Sequence, residues 1–312
     1  MRPLIDRRAV LTAALGVAVQ GMFAPVGAAA ARRPVAQRLA LTDNLSLISG
    51  VGANVLALAS PAGSLLVDTG SAEGRAGLRA QLAGLPGKGR VLTVINTHWH
   101  REQSGNNEMF GKSGAAIIAH QKTRQRLSND LWQPESQQYL RALPRAGWPT
   151  RAFYQTETLE FAGERVECGY LLEAHTDGDI YVRLRNANVL AVGDVLAAKG
   201  SDPVLDWFGG GWIGGRIDAL AALLKLADAE TRVVPAQGPV VSRNELQAEH
   251  DMLSGLFERL TVMMRKGFTT DDMVASNVLD TTGRSWNDGA KFLYTVHKGL
   301  WAHHNTISHD IV

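Results

Sequence analysis

The chain has 312 residues, 45% hydrophobic and 20% charged, a composition that suits a soluble globular protein able to bury a full core. Its formal charge is +2, and removal of residues 1 to 31 takes away three arginines and one aspartate, which leaves zero. A neutral mature chain gives no electrostatic case for nucleic acid, and a single cysteine, Cys168, excludes an internal disulfide.

The first thirty residues read differently from the rest: "MRPLIDRRAV" is basic, "VLTAALGVAV" is apolar and "GAAAA" supplies small residues. That order predicts a cleaved export signal over residues 1–31. Arg7 and Arg8, just before the apolar run, resemble a twin-arginine signal whose usual flanking residues "DRRAVL" matches only in part. That route carries folded proteins, so a metal can be inserted before export. The mature protein is expected to begin near Ala31 or Arg32, in the periplasm or outside the cell. Ala9 to Ala31 is long enough to span a bilayer, roughly 20 residues being needed. Gln20, Pro25 and the alanine run weigh against an anchor, so no stable membrane insertion is expected.

From Leu45 to Pro235 short β-rich runs alternate with helical ones. The strand candidates, in order, are "NVLALAS", "SLLVDTG", "RVLTVIN", "AAIIAH", "RVECGYLL", "DIYVRL", "NVLAVGD" and "TRVVPA". A helix is predicted over Arg216 to Ala227, where Ile217, Leu220, Leu224 and Ala227 share one face. Strands interleaved with helices argue an α/β layered sandwich. Ser128 to Thr150, polar and punctuated by proline, reads as a long loop or a loose helical insert. After Pro239 the pattern is helical only. Ser242 and Glu245 form a capping-box pair, Leu246, Leu253, Leu256, Phe257, Leu260 and Met264 make an apolar stripe, and Gly267 closes the helix. Residues 40–242 are therefore expected to form one domain, with 243–312 a helical extension packed on the same core.

The chemistry-bearing stretch is "NTHWHREQSGNNE", Asn96 to Glu108, directly after the strand candidate "VLTVI". Two histidines at i and i+2 on a loop can turn their imidazoles to one point, and neutral imidazole is a good zinc ligand. The pair alone is weak, since nine histidines make chance neighbours common. It gains force from "EAHTDGDIYV" around His175, "VLAVGDVL" around Asp194 and "VVPAQGPV" around Gln237, each where a strand meets a glycine-bearing loop.

Together with "VDTG" at Asp68, these stretches resemble, in order and spacing, the motifs of the metallo-β-lactamase superfamily over about Leu45 to Ser242. The resemblance implies a four-layer αββα sandwich with a metal site at loop ends between two sheets, usually holding a pair of zinc ions. It places the first site on His98, His100 and His175, all present. It places the second site on Glu102, Gln103 and Gln237, with Asp194 as the bridging carboxylate. Where the family has Asp, His and His, this chain has Glu, Gln and Gln.

Random decay would strike both sites, whereas every departure here falls on the second, so selective loss of one metal is the expectation. Exchanging two imidazoles for two neutral amides removes most nitrogen donation. One zinc on three imidazoles with an open position suffices for hydrolysis in principle, since it lowers the pKa of bound water to about 7. The resemblance therefore implies an exported zinc-dependent hydrolase with its second site empty, acting on a small molecule that carries an ester, lactone, thioester or amide carbonyl. Asp194 and Glu102 are assigned orientation or proton relay, and Gln103 and Gln237 hydrogen bonding. Two alternatives stand beside it. One is a non-catalytic ligand-binding descendant; the other is a mononuclear iron oxidoreductase using His98, His175 and Asp194, two imidazoles and a carboxylate.

Other signals are read structurally. "GGGWIG", Gly209 to Gly214, matches a dinucleotide loop in letters, but "SDPVLDWF" separates it from the preceding strand. A site-rim loop fits better, with Trp207, Phe208 and Trp212 either in contact with a ligand or simply packed against the core. Asp68 is expected to be a structural hydrogen-bonding residue, His120 a cap or core partner and Cys168 a buried small hydrophobe. His297, His303, His304 and His309 are expected at a helix end and in a tail.

Overall fold

The computed structural model describes residues 35–134 and 136–303; the export signal expected over 1–31, and His304 and His309, lie outside them. The first half runs β1 (Gln37–Ala40), β2 (Leu45–Ser49), β3 (Val55–Ser60), β4 (Gly63–Val67), α1 (Arg75–Ala83), β5 (Val91–Ile95), α2 (Arg101–Ser104), α3 (Asn107–Lys112), β6 (Ala116–His120) and α4 (Gln121–Ser128). There follow β7 (Leu131–Gln133), β8 (Gln138–Leu140), β9 (Arg151–Phe153), β10 (Thr156–Phe161), β11 (Glu164–Tyr170), β12 (Ile180–Leu184) and β13 (Val189–Gly193). The chain continues through α5 (Ile213–Leu226), β14 (Arg232–Pro235), α6 (Arg243–Arg265), α7 (Thr270–Ala275) and α8 (Gly289–Ala302).

One sheet has the order β1-β2-β3-β4-β5-β6-β9, and the other β10-β11-β12-β13-β14. In the first, β1 to β4 pair antiparallel and β4, β5, β6 and β9 pair parallel. In the second, the final β13–β14 pair alone is parallel.

Successive side chains of a strand point to opposite faces, and here both faces are apolar, so each sheet needs a cover on either side. Leu56 and Leu58 of β3 face the second sheet, where Val182, Leu184, Val189 and Ala191 meet them in one buried cluster. Their neighbours Val55 and Ala57 face outward with Ile48 and Leu66, under Leu78 and Leu82 of α1 and Phe110 of α3. On the far side Leu190 and Val192 of β13 pack against Leu220 and Leu223 of α5. The same cluster takes Leu246, Leu253, Leu256 and Leu260 of α6 with Phe292, Val296 and Leu300 of α8. The layers are α, β, β and α, as the four-layer sandwich requires.

The capping box of α6 is formed as expected, with Ser242 accepting from the backbone of Asn244 and Glu245 accepting from that of Ser242. Two local expectations differ. The predicted helix at Arg216 opens three residues earlier, at Ile213, and its first turn contains Gly214 and Gly215, both buried, with Gly215 against the Leu172 and Glu173 carbonyls. Ser128 to Thr150 is neither open loop nor helical insert. It carries the β7–β8 hairpin, with Trp132 paired to Tyr139 across it, and one 3-10 turn at Arg145–Gly147.

Candidate metal centre

Three strand ends bring the ligating side chains together. His98 and His100 lie between β5 and α2, His175 between β11 and β12, and Asp194 directly after β13. The first pair comes from one sheet and the other two from its partner, so the cluster sits at the edge between sheets. The three imidazole centroids are 4.9, 5.0 and 4.9 Å apart, near edge-on to one another. With Asp194, each offers one ligand atom, and all four atoms lie within 4.8 Å of one another.

The outward bonds of the rings decide which nitrogens carry protons. His175 Nδ1 is 2.8 Å from the Val204 carbonyl, which can only accept, so Nδ1 donates and Nε2 is bare. His100 Nε2 is 3.1 Å from Asp206 Oδ2, so Nε2 donates and Nδ1 is bare. For His98 the chain is one link longer. Thr97 gives its hydroxyl proton to Asp68 Oδ2 at 2.7 Å, so its oxygen accepts from His98 Nδ1 at 3.2 Å, and in the neutral ring His98 Nε2 is bare.

Three bare nitrogens and a carboxylate oxygen thus face one point. His175 Nε2 and His100 Nδ1 are 3.1 Å apart, and His98 Nε2 and Asp194 Oδ2 3.3 Å, with no hydrogen-bond partner for that buried nitrogen. Four converging acceptors repel unless a cation, or a proton on His98 Nε2, sits among them. The donor set therefore fits a metal ion, borderline imidazole nitrogen with one hard oxygen.

The electrostatics agree. Burial works against charge on His98, yet the approach and charge of Asp194 override it and hold the pKa up at about 9. A proton there takes the place of a cation. Burial pushes His175 down to about 3 and keeps it neutral, as a ligand must be. Burial alone would raise Asp194, but His98 above all, then His175, hold it well below the usual carboxylate range. His98 and His175 have side chains 0% and 2% exposed, against 23% and 27% for His100 and Asp194, so the site opens on the latter pair.

The family model of the metallo-beta-lactamase superfamily matches residues 48–238. The chain belongs to the metallo-β-lactamase superfamily. Among solved structures it is similar to DIM-1 metallo-beta-lactamase, with 17% identity and a TM-score of 0.56 over 71% of this chain and 98% of that one. The same holds for a metallo-beta-lactamase from Pontibacter korlensis, 17% identical with a TM-score of 0.56 over 70% of this chain and 99% of that one. The stereoselective inverting sec-alkylsulfatase Pisa1 from Pseudomonas sp. is similar at 18% identity and a TM-score of 0.60, over 77% of this chain and 45% of that one. No curated protein sequence matches. Identities this low carry the fold alone.

Of the residues expected to correspond to a second site, the structure brings Asp194 into the cluster and sets Gln103 beside it. Gln103 Nε2 donates to Asp194 Oδ2 at 2.9 Å from a buried position. Glu102 is exposed on the first turn of α2, outside the four-residue group. Gln237 is exposed too, its amide donated to the Gly52 carbonyl at 2.6 Å. Asp68 is buried and gives both oxygens to Thr97, as expected of a structural carboxylate.

Trp207 and Phe208 line a cleft of about 300 Å³ that reaches His100 and Asp206, with Pro203, Leu205 and Phe292 as further apolar walls. Trp212 is not among its lining residues; it opens α5, stacks on His303 at 4.1 Å and packs edge-on to Phe257. The glycines on either side of it have a packing reason: a Cβ on Gly211 would overlap the His175 carbonyl, and one on Gly215 the Glu173 carbonyl. His120 caps α4 and bonds the Tyr154 carbonyl, Cys168 is 1% exposed, and His297 lies in α8 beside Trp301.

Two site residues escaped the sequence reading. Asp206 orients His100, and Asp179 accepts from the backbone of His175 and Thr176 at 2.6 Å each, which shapes the third-histidine loop. Asp179 stands in the quoted "HTDGD", where its carboxylate reaches back to the backbone three and four residues earlier, and its place in that motif was the available signal. Asp206 has no such signal.

Proposed function

We propose that the protein is an exported, zinc-dependent hydrolase with one metal ion, acting on a small molecule with an ester, lactone, thioester or amide carbonyl. The observation that carries the reading is the convergence of three bare imidazole nitrogens and Asp194 Oδ2, while Gln103 and Gln237 turn amide N–H groups to Asp194 and Gly52. His98, His100 and His175 would hold the zinc, with Asp194 beside it. A bound zinc supplies Lewis acidity, polarising a carbonyl oxygen and acidifying water to a pKa of about 7.

The chain's own residues do the rest. Asp194, kept ionised, accepts a proton of the attacking water and so turns the water's lone pair to the carbonyl carbon; as the carbonyl–heteroatom bond breaks, that proton passes to the leaving oxygen, sulfur or nitrogen. Gln103 Nε2–H fixes that oxygen from behind. Asp206 draws on His100 Nε2–H and strengthens the donor nitrogen on the other side of the ring. The cleft beside His100, at the small end of the ligand-pocket range, seats an apolar portion of the substrate against Trp207 and Phe208.

Metal analysis of protein purified without chelators, ending before His303, tests the reading. It should give close to one zinc per chain, and none in His175→Ala. Bound iron with oxygen consumption, or zinc without turnover across an ester, lactone and β-lactam panel, would turn it to one of the two alternatives.

A further inference from the structure

The segment from Ser201 to Asp206 is neither helix nor strand, yet it orients two of the three imidazoles. Its Val204 carbonyl takes the His175 Nδ1–H, and its Asp206 carboxylate takes the His100 Nε2–H. Irregular backbone holds such a pose only where other groups fix it.

The fixing group is a buried arginine. Arg216, in the first turn of α5 and 0% exposed, donates Nη1–H to the same Val204 carbonyl at 2.8 Å. A carbonyl oxygen has two lone pairs, and here one goes to Arg216 and the other to His175. Behind Arg216 stands Glu249 of α6, with Oε1 3.6 Å from Arg216 Nη2 and Oε2 2.7 Å from Arg284 Nη1. Arg284 in turn donates to the Ser201 carbonyl. One carboxylate on the C-terminal helices thus ties down two guanidinium groups, and these hold the segment at Ser201 and Val204.

We propose that Arg216, clamped by Glu249, is a positioning residue for the metal ligand His175. The C-terminal helices then set the affinity of the metal site through one shared carbonyl. The proposal rests on the metal reading above and adds where its rigidity comes from.

Stability gives the trio little reason to exist. Arg216 Nε and Nη2, and Glu249 Oε1, are buried with no hydrogen-bond partner. Buried ion pairs of this quality are often matched or bettered by apolar side chains of similar volume. Geometry is where the contribution should show: groups bonded directly to a ligating histidine typically change metal affinity 10–100-fold, and Arg216 holds in place the Val204 carbonyl that is such a group for His175.

The decisive variant is Arg216→Met with Glu249→Met, which removes both charges together. Three quantities are measured: melting temperature in EDTA, zinc affinity by competition with a chromophoric chelator, and the His175 tautomer in metal-free protein by ¹⁵N NMR. The expected result is zinc affinity weaker by about 10–100-fold and loss of the single Nδ1–H tautomer, in a protein that still folds in EDTA at a melting temperature lowered by the loss of the Arg284–Glu249 bond. Zinc affinity within about threefold of the unmodified protein, in a variant that keeps that tautomer, overturns the proposal. If the double variant does not fold, Arg216→Lys decides, since one ammonium cannot replace the fork that reaches Val204 and Glu249 together. The same fall in affinity supports positioning, and unchanged affinity again overturns it. An unmodified protein that binds no zinc would instead overturn the metal reading, and the proposal with it.

Discussion

Removing the carboxylate behind His100 is the sharpest test of the tautomers. Asp206 Oδ2 lies 3.1 Å from His100 Nε2, and its Oδ1 accepts the Gly209 N–H at 2.8 Å. In Asp206→Ala nothing compels the proton to stay on Nε2. The neutral ring can then carry it on Nδ1, the atom 3.1 Å from His175 Nε2. Metal binding must move that proton without a charge-assisted partner, and the loss should be 10–100-fold in zinc affinity, about 1.4–2.7 kcal/mol. Asp206→Asn should also lose affinity, by about fivefold or more, although it is nearly isosteric. To keep the Gly209 bond it must turn its NH2 towards His100 Nε2, which forces the wrong tautomer; turned over, it gives up that bond, worth about 1 kcal/mol. Chelator competition at fixed pH measures both, with melting in EDTA as the check on folding. An Asn variant that binds zinc within about threefold of the unmodified protein would show that the carboxylate does not set the proton, and the convergence of bare nitrogens would lose its basis.

Glu102→Asp with Gln103→His and Gln237→His should bind a second zinc by metal analysis, and each single change should do much less, since ligands of one site act non-additively. Unchanged stoichiometry in the folded triple variant would defeat the mapping of these positions. Zinc affinity should climb with pH between about 7 and 9, close to tenfold per unit, because a proton on His98 competes for Nε2 until its pKa of about 9 is passed. In the metal-free protein the sign is reversed. The raised His98 pKa contributes stability that is fully present below the unfolded value of about 6.5 and fades as pH rises towards about 9, readable as a falling melting temperature. Arg7→Lys with Arg8→Lys should strand the precursor in the cytoplasm, and normal export of that variant would remove the twin-arginine reading.

What the sequence made legible follows from how each element buries its residues. β3, β4 and β13 are apolar on both faces and read as continuous runs. β2, "LSLIS", is just as buried but interrupted by two serines, and β10, "TETLEF", alternates in burial on an edge with only Leu159 and Phe161 facing the core, so both passed unnoticed. α1 buries only Leu78 and Leu82, and α3 only Asn107 and Phe110; two points do not make a helical period. α6 buries seven positions over 23 residues and could hardly be missed.

The site divides in the same physical way. His98, His100, His175 and Asp194 sit at strand ends, where a ligating residue type beside a loop is visible in one dimension. Asp206 reaches His100 across 106 residues of chain, and the Val204 carbonyl has no residue type to reveal it, so nothing local announces either. Gln103 lies between these cases. As a letter it reads as a ligand lost, a weak oxygen where an imidazole would donate. In space it is an N–H aimed at Asp194 Oδ2, while its own Oε1 stays buried without a partner. An imidazole there would offer a lone pair to a cation and share Asp194 with it. The amide instead offers a proton, and one group cannot donate to Asp194 and ligate a neighbouring cation through the same atom. That reversal of polarity makes a second-metal position into support for the carboxylate of the first.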